Sequence, residues 1–373
     1  MSEPVVPSYG SDTLADLLPS LGAHVKVPGA ADRLGIPHAD RYLVLLVDGL
    51  GWHQRAWWPE AAPFLAGLAE SGRSITCGVP STTVTSIASL GTGLTPGEHG
   101  MAGYSFRYPP IGAVLNALLW ADGVHGLDVQ PQLTYLERLS NAGVWTSSVG
   151  PARFAGTGLT IAALRDPRFI PVTDEGDLPR RVELATTAIS GGERALVYVY
   201  ERALDHAGHT YGVGAPEWLA ELRRSDELAA RLREALPPDV RLVITGDHGM
   251  VNVPAAARLI VEDEPWLLQG VGLLGGEGRL RQLYTEEGKR EAVAARWRDR
   301  MGETAWVLTR DEAFDQGWFG PCNPRVADRF GDVLVAMRND GAVMTRALAK
   351  ELDLVGMHGS LTAAEMAVPL LVV

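Results

Sequence analysis

Four short apolar runs in this chain each end abruptly in Asp, Gly or Glu: YLVLLVDG at 42–49, VWTSSVG at 144–150, ALVYVYE at 195–201 and RLVITGDHG at 241–249. Runs that stay apolar without alternating read as strands buried on both faces, the pattern of a parallel sheet covered by helices. Between them the spacing predicts helices over 59–71, Leu178–Ile189 and 216–236, the last with acidic and basic residues alternating on its exposed face. Strand and helix alternate, so the fold class is α/β, with a mostly parallel central sheet sandwiched by helices. A chain of 373 residues can build one such sheet and carry an insertion as well.

The rhythm breaks at 253–330. That stretch holds a Gly-rich turn, GVGLLGGEG at 270–278, then a strand-like RLRQLYT at 279–285, a helix over 286–301 and a further strand, WVLT at 306–309. We expect a small α+β, cap-like insertion there, with 1–252 as the first part of the core. The chain then returns to the core over 331–373, through DVLVAM at 332–337, the turn MHGS at 357–360 and a final strand, MAVPLLVV. Gly270, Gly272 and Gly275 fit a dinucleotide fingerprint, but no clear strand precedes them and they read as a loop.

In an open parallel sheet, ligands gather at the carboxyl ends of the strands. Asp48 follows LVLLV, Asp205 and His209 follow LVYVYE, Asp247 and His248 follow RLVIT, and His358 sits in the turn before the last strand. Three Asp and three His at one sheet edge are a donor set suited to zinc, and two such metals make a clamp for in-line displacement at phosphorus. Asp205 and His209 are four residues apart, so both can face one metal from a turn or short helix. The clamp needs a nucleophile, and PSTTVTS at 80–86 is crowded with hydroxyls just before a run that reads as a helix. A hydroxyl at a helix N-terminus lies in positive potential, which favours an alkoxide and a phosphate alike.

The ordered set VDGLGW, PSTTVTS with GTGLTPGEHG, ERALDHAGHTYG, GDHGM and GMHGS resembles the type I phosphodiesterase and nucleotide pyrophosphatase branch of the alkaline phosphatase superfamily. The motifs extend from 43 to 360, nearly the whole chain. The resemblance implies that Asp205, His209 and His358 bind one zinc and that Asp48, Asp247 and His248 bind the other. It places the nucleophile on Thr83, whose oxygen would bridge toward the second metal, and implies a covalent phosphothreonine step. Where the family carries an Asn three residues further on, this chain has Ser86, which is expected to donate a hydrogen bond to a phosphoryl oxygen. Trp52 and Tyr104 are expected to line a pocket for a base or another flat group.

The implied activity is hydrolysis of phosphoesters, chiefly as a phosphodiesterase or nucleotide pyrophosphatase. A phosphomonoesterase or phosphonate hydrolase on the same scaffold is the alternative, and an inactive metal-containing binding protein is the alternative from another class. Two divalent cations are implied, Zn2+ first and Mn2+ second. A formal net charge of −12 argues against a nucleic-acid duplex as partner. It also leaves metals as the source of local positive charge for a small-molecule phosphoester. Only two cysteines occur, Cys77 and Cys322, too few for a disulfide framework, so both are expected to be reduced. The chain shows no basic start followed by an apolar core and no apolar run near the ~20 residues that span a bilayer, so we expect a cytoplasmic protein without a membrane partner.

Overall fold

The computed structural model of the chain describes residues 3–165 and 168–373. The strands of its two principal sheets are, in chain order, β1 (Arg41–Val47), β2 (Arg73–Thr76), β3 (Trp145–Pro151), β4 (Phe169–Val172), β5 (Ala195–Glu201), β6 (Val240–Thr245), β7 (Val271–Glu277), β8 (Leu280–Thr285), β9 (Ala305–Thr309), β10 (Val333–Met337) and β11 (Ala367–Val372). The larger sheet has seven strands in the order β2-β11-β6-β1-β5-β3-β4. Only β11 runs against its neighbours, pairing antiparallel with both β2 and β6. The sheet is thus mostly parallel, as the unbroken apolar runs required.

Strand β1 shows why. Tyr42, Val44 and Leu46 point into one apolar cluster and Leu43, Leu45 and Val47 into another on the opposite face. Both faces are covered, so neither set of positions can be polar. One cover includes the helix α1 (Thr83–Thr92), through Val84, Ile87 and Leu90. The other includes α3 (Leu178–Ile189) and α5 (Pro216–Ala235), through Ile189, Trp218, Leu222 and Leu232. Before α3 comes the short α2 (Gly158–Leu164), and α4 (Ala203–Tyr211) directly follows β5. The helix expected over 59–71 is broken into Trp58–Ala61 and Pro63–Ala69. Pro63 disfavours the helical backbone at Ala62, whose φ is −142°.

The smaller sheet has four strands in the order β7-β8-β10-β9. Two expectations are corrected here. The Gly-rich segment at 270–278 is not a loop: most of it is β7, paired antiparallel with β8 from Val271↔Thr285 to Glu277↔Leu280. Backbone pairing needs no side chains, and Gly275 fits where the strand passes close to the Ser105 carbonyl. DVLVAM does not return to the large sheet either. As β10 it lies between β8 and β9, and the chain rejoins the large sheet only at β11.

A third helix layer, α6 (Arg290–Met301), covers one face of the small sheet through Val293 and Trp297, against Val333, Val335 and Met337. It begins four residues later than expected, after Gly288 with φ +73°. The opposite face, with Leu334 and Ala336, joins the apolar cluster beneath the large sheet. The small sheet is therefore packed onto the core. Among the described residues, no helix is long and apolar enough to cross a membrane.

Candidate active site

The parallel register sets the site. Val47 pairs with Glu201 and Leu46 with Thr245, so β1, β5 and β6 end together. Asp48, α4 and the loop carrying Asp247 and His248 leave from that common edge. Gly49 adopts φ +75°, and a Cβ there would lie 3.0 Å from the Asp205 Cα. The turn after β1 and the start of α4 can approach this closely only because the residue is glycine. Asp205 and His209 lie one turn apart on α4, hence on one face.

Two groups of side chains converge. Asp205, His209 and His358 bring one donor atom each within 4.8 Å of one another, and so do Asp48, Asp205 and His248. The first group matches the trio implied by the sequence. In the second, Asp205 stands where Asp247 was expected, so Asp205 faces both groups. Asp247 lies alongside. Its Oδ1 accepts from the backbone N–H of Gly49 and of His248, each at 3.0 Å, and its Oδ2 is 3.5 Å from His248 Nε2.

All three histidines are oriented alike. His209 Nδ1 lies 2.8 Å from the Gly356 carbonyl, His358 Nδ1 2.9 Å from that of Ser81 and His248 Nδ1 3.0 Å from that of Gly249. A carbonyl only accepts, so each Nδ1 carries the proton and each Nε2 offers a lone pair to the site. His358 Nε2 and His209 Nε2 are then 3.3 Å apart, with His248 stacked on His358 at 3.6 Å between ring centroids. Two lone pairs at that distance repel unless something positive lies between them.

The carboxylates give the same indication. Asp205 Oδ1 and Asp247 Oδ2 are buried and accept no hydrogen bond. Burial, with the charges of Asp247 and Asp205, holds the Asp48 carboxyl well above the usual range. Burial beside His248 and His209 holds His358 well below the usual imidazole range, in its neutral form. Crowded acceptors with unused lone pairs are a costly arrangement for a protein alone and a suitable one for divalent cations. The donor set fits divalent cations.

Thr83 is the first residue of α1, with Thr82 as its N-cap. Its Oγ1 is 3.2 Å from His248 Nε2 and 3.5 Å from Asp48 Oδ1. The hydroxyl therefore sits at both the positive end of a helix and the edge of the second group.

These residues open onto a cavity of about 760 Å³. Tyr104 lines it. Ser86 does not: Thr83, Val84 and Ile87 turn toward the cavity while Ser86, on an adjacent side of α1, is fully buried with no hydrogen-bond partner for its hydroxyl. Trp52 is also displaced from its expected place. The 3-10 turn Trp52–Trp57 carries it into the helix layer, edge-on to Trp58 at 6.1 Å and beneath the Arg55 guanidinium.

Sequence reading missed several residues. Tyr200 donates a short hydrogen bond to Asp48 Oδ2, and burial beside Asp48 holds its phenol pKa well up, so it stays a donor. Its place in the alternation of YVYE put it on the same strand as the other ends, which was the available signal. Glu277, at the end of β7, reaches the cavity wall, with its Oε1 buried and unpaired. Burial raises its pKa to about 8. A carboxylate inside a Gly-rich apolar run was the trace it left.

The family described as Type I phosphodiesterase / nucleotide pyrophosphatase matches residues 42–361. The catalytic subunit of mouse GPI ethanolamine phosphate transferase 3 is 36% identical over 62 residues, 17% of this chain and 6% of that protein. Human ectonucleotide pyrophosphatase/phosphodiesterase family member 7 is 33% identical over 108 residues, 24% of each chain. The matched segments thus span a quarter or less of these relatives. Among solved structures, an inactive form of murine ectonucleotide pyrophosphatase/phosphodiesterase 5 in complex with AMP superposes with a TM-score of 0.69 at 17% identity, covering 88% of this chain and 87% of that one. Phosphonoacetate hydrolase from Sinorhizobium meliloti with phosphonoformate gives 0.67 at 19% identity, covering 88% and 89%. Likeness at such identity shows the fold.

Proposed function

Because the chain belongs to the type I phosphodiesterase / nucleotide pyrophosphatase family, we propose that it hydrolyses phosphodiesters at the convergence of Asp48, Asp205, His209, Asp247, His248 and His358 around Thr83. The observation that carries this reading is the orientation of three imidazole lone pairs and two unpaired carboxylate oxygens toward one small volume beside the Thr83 hydroxyl. Asp205, His209 and His358 would hold one cation, and Asp48 and His248, with Asp247 beside them, the other. Zinc suits this nitrogen and carboxylate mixture, with manganese as the second choice. When bound, such cations neutralise charge on phosphoryl oxygens and favour ionised oxygen nucleophiles.

The chain's own groups supply the rest. The N-terminus of α1 favours negative charge on Thr83 Oγ1 and on the phosphoryl group that meets it. Tyr200 fixes Asp48, and the three backbone carbonyls fix the imidazoles, so little reorganisation accompanies substrate binding. Thr83 Oγ1 forms a bond to phosphorus as the bond to one ester oxygen breaks, and that oxygen leaves with a proton as an alcohol. Water then breaks the phosphothreonine bond, returning the threonine hydroxyl and releasing a phosphomonoester. Cytoplasmic residence is part of the proposal and is supported by two unpaired thiols, Cys77 buried and Cys322 exposed.

Phosphonate hydrolysis is a second reading, favoured by the phosphonoacetate hydrolase superposition. Metal-loaded protein should be assayed on bis-p-nitrophenyl phosphate, the p-nitrophenyl ester of thymidine 5′-monophosphate, p-nitrophenyl phosphate and phosphonoacetate. The diesters should be turned over fastest, and Thr83→Ala should lower that rate at least ~10³-fold. Preference for the monoester or the phosphonate would overturn the diesterase reading.

A further inference from the structure

The cavity of about 760 Å³ is far larger than a phosphoryl group and two cations require. Most of its remaining wall is apolar, built from Leu118, Leu119, Phe154, Leu159, Leu164 and Phe169. Leu118 is 50% and Leu119 76% exposed. Two adjacent leucines held in water at the margin of a cavity are an unfavourable surface unless an apolar ligand covers them.

Of the charged groups of the wall, Arg153 and Arg202 each place one guanidinium nitrogen on Glu175, at 2.7 and 2.9 Å, and Glu351 is paired with Arg281. An alkyl or aryl group would meet leucine and phenylalanine along the rest of the wall.

We propose that the substrate is a phosphodiester with one apolar arm, alkyl or aryl, seated against Leu118, Leu119 and the α2 side of the cavity. The inference rests on the diesterase reading above and selects within it an ester with an apolar arm.

The test is a chain-length series of alkyl p-nitrophenyl phosphates, with methyl, butyl and octyl arms, run on metal-loaded enzyme. Each fully buried methylene can raise affinity about fourfold, and only part of the arm is covered, so kcat/KM should rise at least about tenfold from methyl to octyl. Leu119→Asp, a change at an exposed position that the fold tolerates, should reduce the octyl-to-methyl ratio by a factor of roughly three or more. A flat or falling series, or an unchanged ratio in the variant, would overturn the inference while leaving the diesterase intact. If no diester is hydrolysed, the functional reading falls and this inference with it.

Discussion

At the scale of single residues, what distinguishes this site is how many polar atoms are held without a protein partner. Asp205 Oδ1, Asp247 Oδ2 and Glu277 Oε1 are buried acceptors with no hydrogen bond. The first two belong to the proposed metal-binding arrangement. Glu277 does not, and its pKa of about 8 gives it a measurable signature. The shift comes from burial first, with Glu351 and Glu365 adding to it and the Thr82 hydroxyl and Arg281 opposing it. Its folded pKa lies above the unfolded value, so the unfolded chain releases this proton first as pH rises. Stability contributed by the neutral carboxyl is complete below about pH 4.5 and is lost progressively up to about pH 8. Glu277→Gln cannot ionise. Its melting temperature relative to the parent should therefore climb as pH is raised from 5 to 8 and level off above; an offset independent of pH would show that Glu277 is ionised throughout. The candidate ligand residues were legible because Asp at the end of a buried strand and His at short intervals after it have few structural uses. Ser86 and Trp52 were misplaced for a different reason. Linear spacing from Thr83 or Asp48 does not say which side of a helix or 3-10 turn faces the cavity.

At the scale of elements, α1 links the proposed nucleophile and the core. Thr83 stands at its first turn, and its C-terminal half packs on α2, where a Cβ at Gly91 would lie 2.0 Å from the Ala163 carbonyl oxygen. Backbone cannot yield as a flexible side chain can. Gly91→Ala should destabilise the protein by about 1–3 kcal/mol in chemical denaturation and slow diester hydrolysis by moving the helix that carries Thr83. An alanine variant with parental stability would mean that the two helices have room to part. Most elements of the large sheet were readable, because burial on both faces leaves unbroken apolar runs such as 42–47. The small sheet was less so. Its strand β10 has the same apolar run, buried on both faces by two different clusters, and nothing in VLVAM states which sheet will pair with it. Strand β7 was concealed by its glycines, since propensity says nothing of a segment held by pairing and close backbone approach.

At the scale of the molecule, the small sheet is tied to the edge that carries the candidate site by a buried ion pair. Arg279, entering β8, binds Glu365 through Nε at 3.0 Å and Nη2 at 2.7 Å, and both side chains are fully buried. The same carboxylate accepts from the Ser360 N–H, two residues after His358. Glu365→Ala would leave Arg279 charged and buried, which should cost about 3–5 kcal/mol, whereas the double change to Arg279→Met and Glu365→Leu should cost less than Glu365→Ala alone. Equal losses from both, by denaturant titration, would remove the ion pair as the tie. The larger account is of an acidic chain, net charge −12, that gathers carboxylates and imidazoles at one sheet edge and leaves the positive charge to bound cations. The most direct test is diester hydrolysis by the same preparation before chelation, after exhaustive chelation and after Zn2+ is restored, with metal content measured at each stage. The account predicts close to two equivalents of metal per active chain, loss of at least ~10³-fold in kcat when they are removed, and recovery when they return. Full turnover of a phosphodiester by metal-free protein would contradict it.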